Sequence, residues 1–473
     1  MTALPDRPAV ELAGLLHAGE LSARELLAAC LERVEATNPH ANAIVTLDVE
    51  GATAAAAAAD ERFARRRGPA RSDGPLHGLP VVHKDTHMTA GMRTTWGSPL
   101  MADHVPDSDE LAVARIAAAG AIRLGKSNVP EWAAGSHTTN PVFGPTHNAH
   151  RHGLSAGGSS GGAAVALACG MVPLAEGSDM GGSLRNPAAF AGVVGFRPTP
   201  GRVPSHPSLL PYQTLAVQGP LGRTVADAAL LLSVLAGPDP RAPLSLSEPG
   251  PAFAPPLDAD LRVLRVAWAP DLGGRIPVDR RVAAVLDDAR PVLDGLGAHV
   301  EDACPDLDAA DDVFTTLRAW QFRQSLGPLV ERHPDRVKET IRWNVDVGRR
   351  LTVADLSRVA QRQGALHETV VEFFGRYDVL VCPTVQVVPF AVELEYPAEV
   401  AGVPQPDYLG WMRSCTLISA TGCPAVSVPA GYTPDGLPVG LQIVGAPRAD
   451  RRVLEIAAAY ETAAGHGRRP TVR

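Results

Sequence analysis

Two Gly-Gly-Ser units lie 24 residues apart in the sequence, and they end at Ser159 and Ser183. A serine hydroxyl becomes a nucleophile once a neighbouring base takes its proton. Glycine-rich turns let backbone N–H groups converge on one point, as an oxyanion hole requires. A single Gly-Ser turn is an ordinary loop feature, but these two flank an Ala-rich apolar segment, and Asp179 and Arg185 lie beside the second. The pattern therefore favours a catalytic pair of loops over two unrelated turns.

A second segment, Gly120 to Ser127, matches the phosphate-binding pattern G-x-x-x-x-G-K-[ST]. Such a loop binds phosphate only when a strand precedes it and a helix follows, so that the helix N–H groups face the anion. Here the order is reversed, because a predicted helix precedes Gly120, a predicted strand lies inside the pattern and Pro130 follows soon after. We interpret the segment as a helix end followed by a strand, and we predict no nucleotide site.

A third pattern, G-x-S-x-G over residues 157–161, is that of the nucleophile elbow of α/β-hydrolases. The elbow needs a strand immediately before the serine. The preceding residues, HNAHRHGLSA, are polar and typical of turns. A plain Ser-His-Asp hydrolase is therefore disfavoured.

Composition excludes several classes of protein. The chain has 473 residues, of which 45% are hydrophobic and 20% are charged, which is ordinary for a globular protein and excludes wholesale disorder. A net charge of −8 without a basic stripe gives no sign of nucleic-acid binding. The longest charge-free run in the first half of the chain, residues 154–175, contains Pro173 and is interpreted as a loop that enters a buried helix, not as a membrane span. The N-terminal segment lacks the apolar core of a signal peptide, and six scattered cysteines without a C-x-x-C pair predict free thiols in a cytoplasmic protein.

Helix and strand patterns alternate along the chain. Helices are predicted at 22–37, 107–119, 225–235, 281–296 and 451–464, and through most of 305–375. A strand predicted at 41–47 is followed by another helix, which ends at about residue 66. Further strands are predicted at 79–82, 121–124, 262–268, 377–382, 425–428 and 439–444. Such alternation predicts an α/β fold, in which helices cover a buried sheet.

Several of these segments together resemble the amidase signature family of serine hydrolases. The resemblance rests on the stretch 155–201 with both Gly-Gly-Ser units and on LHGLPVVHKDTHMTAGMRTTWGS (76–98), AAGAIRLGKSNVPEWAAG (118–135), TTNPVFGPTHN (138–148), QGPLGRTVADAALLL (218–232) and GLPVGLQIVG (436–445). It covers almost the whole chain and is specific, because three separated elements occur in the family's order. It implies an α/β/α sandwich with a large mixed, mostly parallel central β-sheet.

The resemblance also implies a site and a reaction. The family's Ser–Ser–Lys triad falls on Ser183 as nucleophile, Ser159 as proton relay beside a cis peptide bond, and Lys84 as general base. The backbone N–H groups of Met180, Gly181, Gly182 and Ser183 would form the oxyanion hole. A lysine acts as a base only when it is neutral, so Lys84 needs a lowered pKa, and the apolar run before it is consistent with burial. Asp179 and Arg185 are expected to support the loop.

The implied activity is hydrolysis of a carboxamide C–N bond through an acyl-enzyme on Ser183, with anilides, aryl amides, esters and carbamates as plausible substrates. A different class within the same family is the glutaminase subunit of a tRNA-dependent amidotransferase, which works inside a protein complex. We expect a small-molecule amide as partner, no nucleic acid and no membrane, and a homodimer is compatible with the sequence.

The resemblance further implies one large domain over residues 1–473. Within it we expect an N-terminal helical layer (1–70), a core with the triad (75–235), a variable helical region that shapes the pocket (305–375), and returning strands with a final helix (376–473). The loop 200–217 is expected to shape the pocket as well. Aromatic residues expected to line it are Trp96, Trp132, Phe143, Tyr408 and Trp411.

Two residues depart from the family's pattern, and five histidines lie close together in the sequence. The family often has threonine where Ser178 and Met180 stand, so Met180 is expected to alter the pocket wall but not the backbone chemistry. Histidines cluster in sequence at 83, 87, 147, 150 and 152. Zinc needs three or four ligands on firm elements, and these histidines lie beside Lys84 or in a turn, so we predict no metal and no cofactor.

Overall fold

The computed structural model describes residues 3–65, 74–465 and 470. Residues 66–70 of the predicted N-terminal layer therefore lie outside the described residues. The described helices are α1 (Ala9–Ala18), α2 (Ala23–Ala41), α3 (Val49–Ala64), α4 (Leu111–Ala118), α5 (Gly161–Ala168), α6 (Arg185–Ala191), α7 (Val225–Leu235), α8 (Arg280–Gly295), α9 (Ala310–Arg332), α10 (Glu339–Arg350), α11 (Val353–Arg376), α12 (Arg413–Thr421) and α13 (Asp450–Ala464).

The described strands are β1 (Ile44–Leu47), β2 (Pro80–Lys84), β3 (Ile122–Ser127), β4 (Leu174–Asp179), β5 (Val194–Arg197), β6 (Val217–Gly222), β7 (Arg265–Trp268), β8 (His299–Asp302), β9 (Val379–Pro383), β10 (Glu399–Val400), β11 (Val403–Pro404), β12 (Ala425–Tyr432) and β13 (Pro438–Gly445). Eleven of them form one sheet in the order β1-β3-β2-β4-β6-β5-β12-β13-β9-β7-β8. The predicted mixed α/β sheet is confirmed. Parallel pairing is confined to the groups β3-β2-β4 and β9-β7-β8, and antiparallel pairs join these groups through the middle of the sheet.

The alternation of side chains along β9 shows why helices cover both faces of the sheet. Val379 and Val381 belong to one apolar core, which also contains residues of α5, α7, α8 and α13. Leu380 and Cys382 belong to a second core, which contains residues of α9, α11 and α12. Successive residues of a strand point to opposite faces, so a strand buried on both faces needs a helical layer on each side. This is the predicted α/β/α sandwich.

The parallel group β3-β2-β4 brings the ends of two strands together. The carboxyl ends of neighbouring parallel strands lie at the same edge of a sheet, where α/β proteins place their ligand sites. Lys84 ends β2 and Asp179 ends β4. The segment that contains Ser159 leads directly into α5, and the segment that contains Ser183 leads into α6. The fold therefore assembles residues that lie up to a hundred positions apart in sequence.

None of the described helices is both long and apolar enough to cross a lipid bilayer. The segment 120–127 is a helix end followed by β3, as predicted, and Lys126 is buried with its ammonium group on the carbonyl of His87 and the hydroxyl of Thr89. These hydrogen bonds inside the core explain a lysine that the pattern alone associated with phosphate.

Gly162 packs α5 against the sheet without room for a side chain. A Cβ at this position would overlap the backbone nitrogen of Asn128 and the carbonyl oxygen of Ala43. We predict that Gly162→Ala lowers the free energy of unfolding by about 2 kcal/mol or more, because backbone atoms of β3 and the β1 segment must move. The measurement is urea denaturation followed by circular dichroism.

Gly14 in α1 provides the matched control, because a Cβ there meets no atom within 4 Å. Gly14→Ala should raise the free energy of unfolding by about 0.5–1 kcal/mol through helix propensity. Equal effects of the two substitutions would contradict the tight approach at Gly162.

Candidate active site

Lys84 lies at the centre of a cluster of serine hydroxyls. Its side chain is fully buried, and Nζ lies 2.8 Å from Ser159 Oγ, 3.0 Å from Ser160 Oγ and 3.0 Å from Ser178 Oγ. Burial lowers the pKa of Lys84 to about 7, although the carboxylates of Glu176 and Asp179 act in the opposite direction. Lys84 can therefore lose its proton near neutral pH, as a general base must.

Three hydroxyl partners match the bonding capacity of a neutral amine. An uncharged lysine has two N–H donors and one lone pair. The Ser160 hydroxyl also lies 3.4 Å from the carbonyl oxygen of Ser178, so it can donate there and accept from Lys84. That leaves one of the other two hydroxyls to donate to the lone pair, and Ser159 is at the shorter distance.

The first glycine-serine segment holds Ser159 against Lys84. The Gly158–Ser159 peptide bond is cis, as the resemblance implies. The Ser136 hydroxyl donates to the carbonyl of Gly158 at 2.6 Å, and Thr138 binds the carbonyl of Gly157. A Cβ on Gly161 would overlap the Thr138 side chain, so glycine is needed for this close approach.

Asp179 organises the second segment, which contains Ser183. This buried carboxylate accepts hydrogen bonds from the N–H groups of Gly182 at 2.9 Å and Leu184 at 3.1 Å. Arg185 and Arg197 both contact it, at 2.8 and 3.2 Å. Burial acts to raise the pKa of Asp179, but the two arginines outweigh burial and hold this pKa well below its usual range.

The two segments also meet directly, because the N–H of Ser160 donates to the carbonyl of Ser183 at 3.1 Å. Ser183 itself is partly exposed, so a substrate can reach it. Of the four backbone donors predicted for an oxyanion hole, the Gly182 N–H is engaged by Asp179. The predicted hole therefore reduces to Met180, Gly181 and Ser183.

A cavity of about 600 Å³ opens beside Ser178 and Met180. Residues of the loop 205–217 and the α9 residues Gln321, Phe322, Ser325 and Leu326 border it, so the predicted pocket-shaping segments do reach the site. Trp96 and Trp132 form another wall, with ring centroids 5.7 Å apart. Both tryptophans have φ of 52°, a left-handed conformation that is costly for such residues and is found at functional sites.

The remaining predicted pocket aromatics lie elsewhere. Trp411 is buried and packs between Phe190 and Phe390, so it belongs to the core. Tyr408 is buried as well, and its hydroxyl binds Arg318 at 2.7 Å and Asn344 at 2.6 Å. Phe143 lies under the guanidinium of Arg93 on a separate loop. Size and aromaticity alone could not separate these core and loop residues from the pocket wall.

The clustered histidines divide into two groups. His83 and His87 both bind the buried carboxylate of Glu176. His147 and His152 stack on each other with ring centroids 3.9 Å apart, and His150 contacts the carbonyl of Ala191. No group of three or more ligands with metal-site geometry is found among the described residues.

Comparison with known proteins identifies the family. A family model described as Amidase matches residues 25–454. The chain belongs to the amidase family. It is 38% identical over 457 residues to an acylamidase of Rhodococcus erythropolis, with 96% of this chain and 94% of the relative covered.

Other amidase relatives include one of the subunits of the glutamyl-tRNA(Gln) amidotransferase from Acidothermus cellulolyticus, at 35% identity over 98% of this chain and 95% of that protein. The structure is similar to the crystal structure of a bacterial aryl acylamidase of the amidase signature enzymes, with a TM-score of 0.88 and 29% identity over 97% of this chain and 96% of the other. The chain is thus an enzyme of the amidase class with the amidase fold.

Sequence reasoning missed several residues of this amidase site. Ser160 and Ser178 contact Lys84 almost as closely as Ser159 does. Their positions next to Ser159 and Asp179 were the available signal. Glu176 had no signal, because its partners His83 and His87 lie some ninety residues away.

We predict that Asp179→Ala lowers the free energy of unfolding by about 3–5 kcal/mol, because Arg185 and Arg197 lose their buried counter-ion. Chemical denaturation of the amidase measures it. Asp435→Ala is the control: its ion pair with Arg151 is exposed, and such pairs contribute about 0–1 kcal/mol. A similar loss in both variants would contradict the central role of Asp179.

Proposed function

We propose that this amidase hydrolyses carboxamides through an acyl-enzyme on Ser183, with Ser159 as proton relay and Lys84 as general base. The observation that carries the proposal is the contact of 2.8 Å between Lys84 Nζ and Ser159 Oγ, inside a cluster that the Ser183 segment joins. A Ser–Lys pair can perform the proton transfers that histidine performs in other serine hydrolases.

In the first half of the reaction, Ser183 Oγ attacks the carbonyl carbon while its proton passes to Ser159 and the Ser159 proton passes to Lys84. The carbonyl π pair becomes the oxyanion, which the N–H groups of Met180, Gly181 and Ser183 stabilise. The C–N bond then breaks, and the nitrogen takes the proton back from Lys84 through Ser159. An ester between Ser183 and the acyl group remains, and the amine departs.

In the second half, a water molecule attacks the ester carbon and gives a proton to the same relay. Collapse of the second tetrahedral intermediate breaks the bond to Ser183 Oγ, which regains its proton. The carboxylic acid leaves. Each group then returns to its starting protonation state, so one Lys84 amine serves both halves.

The cavity supports amides with an apolar or aromatic substituent as substrates. Its walls include Trp96, Trp132, Phe322 and Leu326, which present apolar surface beside Met180. The names of the relatives agree, because acylamidase and aryl acylamidase stand among them. Anilides, aryl esters and carbamates present a carbonyl to the same serine and belong to the proposed range.

The second candidate function is the glutaminase subunit of a tRNA-dependent amidotransferase. Identity of 35% to an amidotransferase subunit over nearly the whole chain is the observation in its favour. Ammonia release from glutamine that appears only with partner subunits would support this role. Hydrolysis of anilides by the isolated chain supports the stand-alone amidase.

We predict that Ser183→Ala abolishes hydrolysis of a chromogenic anilide, because the proposed acyl-enzyme forms on the Ser183 hydroxyl. Lys84→Met and Ser159→Ala should each lower kcat by about 10³-fold or more, since the nucleophile then lacks its proton path. Steady-state rates measure the activity of each variant. A covalent label directed at the nucleophile, detected by the mass of the intact protein, shows whether Ser183 still reacts. Residual activity of Ser183→Ala equal to wild type would overturn the proposal.

The pH dependence follows from Lys84. Its neutral fraction rises as pH rises through a pKa of about 7, so kcat/KM should climb on the acid side with an apparent pKa near that value and then level off. Rates between pH 5 and 9 on a neutral anilide, corrected for unfolding at the extremes, check this. A bell-shaped pH profile of kcat/KM with its maximum below pH 6 would exclude a lysine base.

A further inference from the structure

His87 and Glu176 form a buried pair near the end of β2, and His87 also borders the cavity beside Ser178. Both side chains are nearly inaccessible to solvent, and His87 Nδ1 is in direct contact with Glu176 Oε2. The same nitrogen lies 3.6 Å from Glu110 Oε1. A histidine nitrogen that faces two carboxylates is a donor, and the surroundings favour the doubly protonated ring.

Glu176 has donors or ring nitrogens close to both of its oxygens. Its Oε1 accepts from the backbone N–H of Lys84 at 3.0 Å and contacts His83 Nδ1 at 3.2 Å. A buried carboxylate needs such partners, because an unpaired buried charge is very costly. Burial raises the pKa of Glu176, but His87 and His83 outweigh burial and bring it well below its usual range.

This arrangement creates a conflict for Lys84. The carboxylate fixes the end of β2 by binding the Lys84 N–H, yet a nearby negative charge favours the protonated lysine and raises its pKa. A base must be neutral. A positive charge on His87 acts in the opposite sense, since burial lowers the pKa of His87 but Glu110 and Glu176 outweigh it and raise this pKa, while Lys84 acts to lower it.

The other charged groups around the pair come from three elements. His83 shares β2 with Lys84, and burial lowers the pKa of His83, so its ring is the neutral member of the cluster. Lys126 on β3 binds the carbonyl of His87. Glu110 at the start of α4 accepts from the Met88 N–H at 3.1 Å and from Gln218 Nε2 at 2.6 Å.

We propose that His87 is an imidazolium counter-ion that neutralises Glu176, so that this carboxylate anchors the Lys84 strand without keeping the lysine protonated. His87 is then a positioning residue that acts through Lys84. The inference rests on the proposed role of Lys84 as base and adds a residue that sets the pH range of the reaction.

The test is the pH profile of anilide hydrolysis by His87→Gln. Glutamine can keep a hydrogen bond to Glu176 but carries no charge. The carboxylate is then uncompensated, and the acid limb of kcat/KM should move to higher pH by about one unit. The rate at pH 7 should then fall about fivefold, and the rate at pH 9 or above should stay within about threefold of wild type. A loss that is equal at every pH would overturn the proposal.

The double variant His87→Gln/Glu176→Gln removes both charges. The acid limb of its kcat/KM profile should return toward that of wild type. An acid limb at the same pH as in His87→Gln would overturn the proposed charge compensation.

His137→Gln is the matched control. His137 is a buried histidine that binds Ser155 and the carbonyl of Val392, and burial lowers its pKa to about 4, so it is neutral throughout the range and its loss should leave the limb in place.

A second measurement needs no variant of the pair. Selective ¹⁵N labelling of histidines in the wild-type protein should show, at pH 7.5, one buried ring with both nitrogens in the imidazolium range. Only neutral buried rings would overturn the proposal even if His87→Gln does not fold.

The proposed function is tested separately by Ser183→Ala. If hydrolysis depends on Ser183 but the acid limb of kcat/KM does not move in His87→Gln, only the role of His87 is overturned. If no hydrolysis depends on Ser183, both proposals are overturned.

Discussion

Desolvation of one amine is the constraint on which the rest of the site depends. Taking the Lys84 ammonium out of water disfavours its charged form, and this is the largest influence on its pKa. The surroundings must then bind a neutral amine, which hydroxyl groups do because each can donate or accept. Three serines around Nζ meet this need without adding a fixed charge. Carboxylates in place of these hydroxyls would have kept the lysine protonated.

The two carboxylates that do lie near Lys84 are each bound by cationic or ring N–H groups. Asp179 lies against Arg185 and Arg197, and Glu176 lies against His83 and His87. Both carboxylates also bind backbone N–H groups of the segments that shape the site. The same side chains therefore fix the backbone and set the electrostatics, so a substitution at either position affects both.

Local patterns predicted the elements whose reasons are local. The capping boxes of Ser22 with Glu25 and of Thr224 with Asp227 are present and begin α2 and α7. The helix predicted from residue 107 begins later, because α4 starts at Leu111 and the Glu110 side chain binds the Met88 N–H and Gln218. The helix predicted at 22–37 ends one turn too early, because α2 continues to Ala41. The Asn38 side chain accepts hydrogen bonds from the N–H groups of Ala43 and Ile44 at the start of the following strand.

Long-range partners explain what sequence patterns could not predict. The strand β4 has the sequence Leu-Ala-Glu-Gly-Ser-Asp, and its charged residues are unusual for a buried strand. They are tolerated only because their partners arrive from β2, α6 and β5. The resemblance predicted that Lys84 and Ser159 would lie close together, and they do. The pocket wall depends on packing that no short pattern encodes.

The pairing of one carboxylate with two guanidinium groups has an electrostatic consequence for catalysis. Asp179, Arg185 and Arg197 are all buried, and together they leave one uncompensated positive charge immediately behind the Met180–Ser183 turn. Arg197 keeps its proton at neutral pH, since burial lowers its pKa only to about 10. Negative charge that develops on a substrate oxygen at this turn would therefore arise in a fixed, water-poor field of opposite sign. Such a field requires no reorganisation of solvent during the reaction.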